Sequence, residues 1–391
     1  MRRGARLALL AALACAPPAP TPPAPAGLAE VSRFLDSVVT DGGAPGAVLG
    51  VSLGGCHYYH GTGRLGLDDP SRPDSTSIYD LASLTKVVAL TTVVMLGVER
   101  GALDLDAPVD RYVPEFLTGA PERRLVTLRH LLTHSSGLPA GRPLYRETAS
   151  RVDAIALLDT TPLAAAPGER FTYSDLGAML LTQAAERALG ARIDTLLERT
   201  VLQPLGLRET RYLPPREWLG RSAPTEQDPW RGRMIRGEVH DENAARLEGV
   251  SGHAGLFGSA RDLLRFGDWL LAGLATPRGA PSGGCRSRLP PPPAHVAQFI
   301  RRQDQPAGSS RALGWDTPSG QSTGGSLISR TSFGHTGFTG TSIWIDPERR
   351  LVIVLLANRV HPSRANARFG PVRGQVADRV VRGLGLERLS P

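Results

Sequence analysis

The sequence predicts a mixed α/β fold of the α+β kind. It would hold an antiparallel sheet formed from both termini, flanked by helices, with an inserted all-helical subdomain over about residues 102–260. Three observations predict this. Near the start, Gly46–Leu53 and Cys56–Gly61 form a hairpin pattern around Gly54-Gly55. Near the end, Thr341–Ile345 and Leu351–Leu356 form a second, around Asp346-Pro347-Glu348-Arg349-Arg350. Between them the apolar residues recur mostly at helical spacing.

Taken in order, residues 1–15 read as a signal peptide. Met1 to Arg6 is a basic segment, Leu7 to Ala14 a short apolar one, and Ala12-Leu13-Ala14-Cys15 resembles a lipoprotein cleavage box with Cys15 as the lipid-bearing residue. An ordinary signal peptide cut a few residues later is the alternative. Residues 16–27, rich in Pro and Ala, suit an extended tether, and 28–391 form the folded domain. Leu28–Thr40 carries Leu28, Val31, Phe34, Leu35 and Val38 on one helical face. Leu84–Arg100 is a strongly apolar helix stopped near Gly101. Helical patterns follow at Thr127–Leu132, Asp175–Leu189, Ile193–Val201 and Ala260–Leu271, then a loop-rich stretch over 272–330 around a short helix at His295–Arg302. A helix from about Val372 to Leu384 closes the chain.

The formal charge of +8 does not make a nucleic-acid binder, because the arginines are scattered and no basic stripe or helix-turn-helix appears. Of the 45 basic side chains every one but Lys86 is arginine. A lysine can give up its proton inside a protein and an arginine cannot, so position 86 points to a need for an amine. Three cysteines are present. If Cys15 carries lipid, Cys56 and Cys285 remain, and whether they pair stays open. Their spacing matches no zinc signature, and no cofactor is expected.

Ser83 and Lys86 lie three residues apart at the start of the apolar helix, so they share a face. A serine hydroxyl needs a neighbouring base to become a nucleophile, and a helix start supplies backbone N–H groups for a developing oxyanion. Phe171-Thr172-Tyr173-Ser174-Asp175 precedes the next apolar helix. Asp175 there suits a helix cap and Tyr173 a core aromatic, or the two supply a phenol and a polar group at a cleft wall. Phe333-Gly334-His335-Thr336-Gly337-Phe338 precedes the final hairpin, where small residues on an edge strand let a substrate backbone approach. Three rivals fail. Gly50-Val51-Ser52-Leu53-Gly54 leads from strand to strand rather than to a helix. His130 and His134 have zincin spacing without the intervening glutamate. Cys56, His57 and His60 alternate across a strand.

In that order, Ser83-x-x-Lys86, Tyr173-Ser174-Asp175 and His335-Thr336-Gly337 resemble the three motifs of the serine β-lactamase and penicillin-binding-protein superfamily. They are closest to the class C β-lactamase-like branch with its D-alanyl-D-alanine carboxypeptidases and esterases. Leu103 to Val109, Val126 to Leu138 and Gly252 to Phe257 strengthen the likeness. The resemblance implies a β-lactamase/transpeptidase-like fold and an acyl-enzyme at Ser83, with Lys86 and Tyr173 moving its proton. It also implies an oxyanion hole from the Ser83 and Phe338 N–H groups. His335 and Thr336 would contact a substrate carboxylate or amide, and Gly337 would line the strand edge. Substrates would be esters, amides, β-lactams or peptidoglycan peptides, met in the periplasm or cell envelope, with membrane attachment through Cys15. One departure is Asp175, where the β-lactamases usually carry asparagine; a carboxylate only accepts hydrogen bonds, whereas an amide also donates. That favours ester or unusual peptide substrates over β-lactams. A slowly acylated envelope sensor without turnover, or an acyltransferase, is the alternative.

Overall fold

A computed structural model of the chain describes residues 25–117, 121–275, 285, 289–320 and 322–387. The lipid anchor expected at Cys15 lies outside the described residues. The main sheet has five strands in the order Cys56–Gly63, Gly46–Leu53, Leu351–Ala357, Ser342–Asp346, Phe333–Thr336, every neighbour antiparallel. The pairing Val51↔Ile353 joins the two ends of the chain at the sheet's centre. Both predicted hairpins are present, and Phe333–Thr336 adds the edge strand on which His335 sits.

Alternation along the central strands explains the layers. Leu49, Val51, Ile353 and Leu355 point to one face and pack with Val31, Leu35, Val376 and Val380 of the terminal helices Leu28–Thr40 and Val372–Gly383. Val48, Val352 and Val354 point to the other face, against Leu263 and Leu264 of the helix Ala260–Ala272 and the larger core beyond it. Burial on both faces is why Leu351–Ala357 reads as an unbroken apolar run.

The insert is not all-helical as expected. Helices such as Leu128–Leu132 and Asp175–Leu189 dominate it. However, Arg211–Tyr212 and Leu256–Gly258 join Tyr79–Asp80 in a three-stranded sheet, and Gln227–Asp228 pairs with Arg233–Met234. Strands of two or three residues are too short to show a period of two, so helical signals around them prevail.

Cys56 and Cys285 form a disulfide across a sequence separation of 229 residues. Closing so long a loop constrains the unfolded chain strongly. Cys285→Ser is expected to lower unfolding stability by about 2–4 kcal/mol, read as an earlier denaturant midpoint, with kcat unchanged because the bond lies away from the cleft.

Candidate active site

The chain turns sharply into the site. Ala82 holds a φ of 47°, unusual for a residue with a Cβ. Such a conformation persists only where neighbours enforce it. Here the buried carboxylate of Asp80 does so: Oδ1 accepts the Ala82 N–H at 2.8 Å and Oδ2 accepts the His240 N–H at 2.7 Å. Burial pushes the Asp80 pKa up despite those two bonds. Thr339 and Thr341 add hydroxyl bonds to the carbonyls of Asp80 and Leu81, at 2.7 and 3.0 Å. The segment leading into Ser83 is thus tied to the edge-strand loop. Gly337 must be glycine for this packing, because a Cβ there would lie 2.1 Å from Thr341 Oγ1 and 2.5 Å from the Leu81 carbonyl.

After Ser83 the helix starts at Leu84 and winds as a π-turn over Lys86–Thr91 before the α-helix Thr92–Glu99, with Gly101 left-handed beyond it. Wide turns of this kind recur at functional sites. Lys86 is only 3 % exposed. Its Nζ lies 3.0 Å from Ser83 Oγ, 2.9 Å from the His253 carbonyl and 2.7 Å from Asp175 Oδ1. Burial alone works to lower the Lys86 pKa, but the Asp175 carboxylate and the Tyr173 phenol outweigh it. The ammonium is therefore held above its ordinary value. Asp175 is not the helix cap: Ser174 takes that role, accepting the Gly177 N–H at 3.1 Å, and Asp175 is free to pair with Lys86.

Tyr173 lies between two imidazoles, tilted to both, with ring centroids 4.5 Å from His134 and 5.9 Å from His335, and Lys86 Nζ lies 5.0 Å from its ring centre. His134 Nδ1 accepts the Ser174 N–H at 3.1 Å, so this histidine orients the Tyr173-Ser174 peptide rather than binding zinc. His335 is buried, and its Nδ1 donates to the Thr336 carbonyl at 2.8 Å. Burial, reinforced by Arg311 and Lys86, pushes its pKa well below the ordinary value. The ring is therefore neutral, with Nε2 a bare acceptor. Among the described residues, neither the Ser83 N–H nor the Phe338 N–H has a protein acceptor.

These groups line one cleft of about 600 Å³. Ser83, Tyr173, Asp175, His335, Thr336, Gly337 and Phe338 all border it, and Lys86 sits directly behind Ser83. Its walls also carry Arg311, Arg359 and Arg373 and the Asp241–His253 pair, whose Oδ1 and Nε2 are 2.9 Å apart. Sequence reasoning missed these. In an arginine-rich chain no single arginine stands out, whereas Asp80, three residues before the serine, offered a signal. Among the described residues, no group of side chains could hold a metal ion.

The fold and this cleft define an enzyme of the serine hydrolase type. The beta-lactamase family profile matches residues 31–376, and the chain belongs to that family. A Salmonella schwarzengrund protein named "Putative D-alanyl-D-alanine carboxypeptidase" is 32 % identical over 337 residues, 78 % of this chain and 74 % of that one. Among solved structures, a class C β-lactamase from Rhodobacter sphaeroides superposes with a TM-score of 0.67 at 24 % identity, covering 90 % of this chain and 99 % of that chain. EstCE1, described as a hydrolase with promiscuous acyltransferase activity, superposes at 0.70 and 20 % identity, covering 90 % and 98 %. The antiparallel sheet flanked by helices agrees with the sequence reading.

Proposed function

We propose that the chain is an exported serine hydrolase that forms an acyl-enzyme at Ser83. Its substrates would be esters, amides or β-lactam-like compounds, with esters preferred over β-lactams. The observation that carries this is the contact of Lys86 Nζ with Ser83 Oγ at 3.0 Å, at the floor of the cleft. Lys86 and Tyr173 act as a coupled pair with one transferable proton. Asp175 favours the ammonium, so the reactive state is the one in which Lys86 has released a proton. Its neutral amine, 3.0 Å from Ser83 Oγ, then takes the Ser83 proton as Oγ attacks the carbonyl, with the Tyr173 phenol beside it. The Ser83 and Phe338 N–H groups receive the oxyanion. The pair returns its proton to the leaving group, then repeats the cycle with water to release the acyl group. His335, Thr336 and Gly337 hold the far side of the substrate along the edge strand.

Export is supported by the Cys56–Cys285 disulfide, since such bonds persist in oxidising compartments. Retention at the membrane through Cys15 belongs to the same proposal. A D-alanyl-D-alanine peptide is a natural candidate substrate, given the name of the Salmonella relative. Repeated turnover of an activated ester by the purified enzyme tests the reading. A stoichiometric burst that then stops would replace it with the slowly acylated sensor.

Asp175→Asn separates two consequences of the departure at that position. The amide can donate to a β-lactam or peptide carbonyl, so the ester-to-β-lactam ratio of kcat/KM is expected to fall, by about tenfold if one hydrogen bond is gained. The substitution also removes the carboxylate that holds the Lys86 pKa up. The acid limb of the pH–rate profile, where the amine is protonated, is then expected to move to lower pH. An unchanged ratio with an unchanged limb would show that Asp175 does neither job.

A further inference from the structure

The oxyanion loop has an unusual electrical setting. Arg373, the second residue of the C-terminal helix, reaches the cleft wall and donates from Nη2 to the Gly337 carbonyl at 2.7 Å and from Nε to the Thr341 carbonyl at 3.2 Å. Arg359 donates from Nε to the next carbonyl, that of Phe338, at 2.8 Å, while its guanidinium covers the Phe338 ring at 4.5 Å. Among the described residues neither guanidinium has a carboxylate within ion-pair distance, whereas Arg364 beside them is paired to Glu226 and Glu242. Burial and the neighbouring Arg359 push the Arg373 pKa down to about 10, so it stays a cation at neutral pH.

The Gly337 carbonyl and the Phe338 N–H belong to one peptide group. A cation bound to the carbonyl oxygen draws electron density through the amide and makes the N–H at its other end a stronger donor. It also fixes the direction in which that N–H points, because rotating the peptide would break the charge-assisted bond. We propose that Arg373 is a positioning residue for the oxyanion hole, polarising and aiming the Gly337–Phe338 peptide so that the Phe338 N–H binds the developing oxyanion, with Arg359 pinning the loop's next carbonyl. This rests on the reading of Ser83 as the acylated nucleophile. The cation does not touch the substrate; it acts through the backbone.

The ester carbonyl of the acyl-enzyme reports the strength of its hydrogen bonds directly. The test is infrared difference spectroscopy of the acyl-enzyme formed with a carbonyl-¹³C-labelled activated ester, in wild type, Arg373→Met and Arg373→Lys. Occupancy is fixed in each case by intact mass. The carbonyl band is expected to move to higher wavenumber in Arg373→Met and to an intermediate position in Arg373→Lys. An ammonium can engage only part of what the planar fork engages. kcat for a neutral ester is expected to fall about tenfold with KM little changed, a smaller loss than deletion of an oxyanion donor brings. An occupied acyl-enzyme with the wild-type band overturns the inference, and if Arg373→Met does not fold, the band of Arg373→Lys alone decides. A rise in KM confined to anionic esters, with kcat and band unchanged, also overturns it and makes Arg373 an anion binder. Absence of any wild-type adduct overturns the hydrolase reading itself, and this inference with it.

Discussion

Ser83→Ala is expected to lower kcat for an activated ester by roughly 10⁴- to 10⁶-fold, the range found when the nucleophile of a serine hydrolase is removed. The substitution takes away only the Ser83 hydroxyl. The Asp80 bridge to Ala82, the Lys86–Asp175 pair and the cleft walls do not depend on the Ser83 hydroxyl. Stability is therefore expected to change little, and KM for a neutral ester to stay within the same range. The residual rate comes from binding and the oxyanion N–H groups. A loss of only a few fold in steady-state kinetics, with the variant folded, would mean that another group attacks the carbonyl.

The second large effect is expected at Lys86, and it uses the lysine's uniqueness in the chain. Lys86→Arg keeps a cation that can still face Asp175, but a guanidinium does not release its proton at any accessible pH. The proton relay with Tyr173 then stalls, and kcat is expected to fall on the order of 10⁴-fold. Lys86→Met should lose activity to a similar degree and also destabilise the fold. It removes the ion pair at 2.7 Å and leaves the Asp175 carboxylate facing an apolar side chain. The sign with pH follows from the raised lysine pKa. The ammonium's stabilisation is fully present below the ordinary lysine value near 10.5 and is lost as pH rises through the higher folded value. Wild type and Lys86→Met should therefore differ in denaturant midpoint at neutral pH and converge only in strongly alkaline solution. An active Lys86→Arg enzyme would show that position 86 supplies charge alone.

What could be read from the chain depended on how local its physics is. The Gly54-Gly55 hairpin follows from an eight-residue apolar run meeting a glycine pair, the Asp175–Leu189 helix from its apolar period, and both lie where the sequence placed them. Ser83 and Lys86 were readable because three residues of helix bring them together whatever the rest of the fold does. Asp175 was only half readable. Its position at a helix start suits a cap, but Ser174 caps the helix, and the pairing with Lys86 spans about 90 residues of sequence. The hold of Asp80 on both Ala82 and His240 is equally non-local. Arg359 and Arg373 carry no sequence pattern at all, because they act on backbone carbonyls that the fold alone brings near. The π-turn over Lys86–Thr91 has no residue signature either.

The most direct test of the account is intact-mass spectrometry of wild type and Ser83→Ala after exposure to an activated ester, a penicillin and a D-alanyl-D-alanine peptide, with peptide mapping of any adduct. The expected result is a single acyl increment on wild type with at least one of the three, mapped to Ser83 and absent from Ser83→Ala. An adduct of the same mass on Ser83→Ala, or a wild-type enzyme that turns over all three without passing through Ser83, would contradict it.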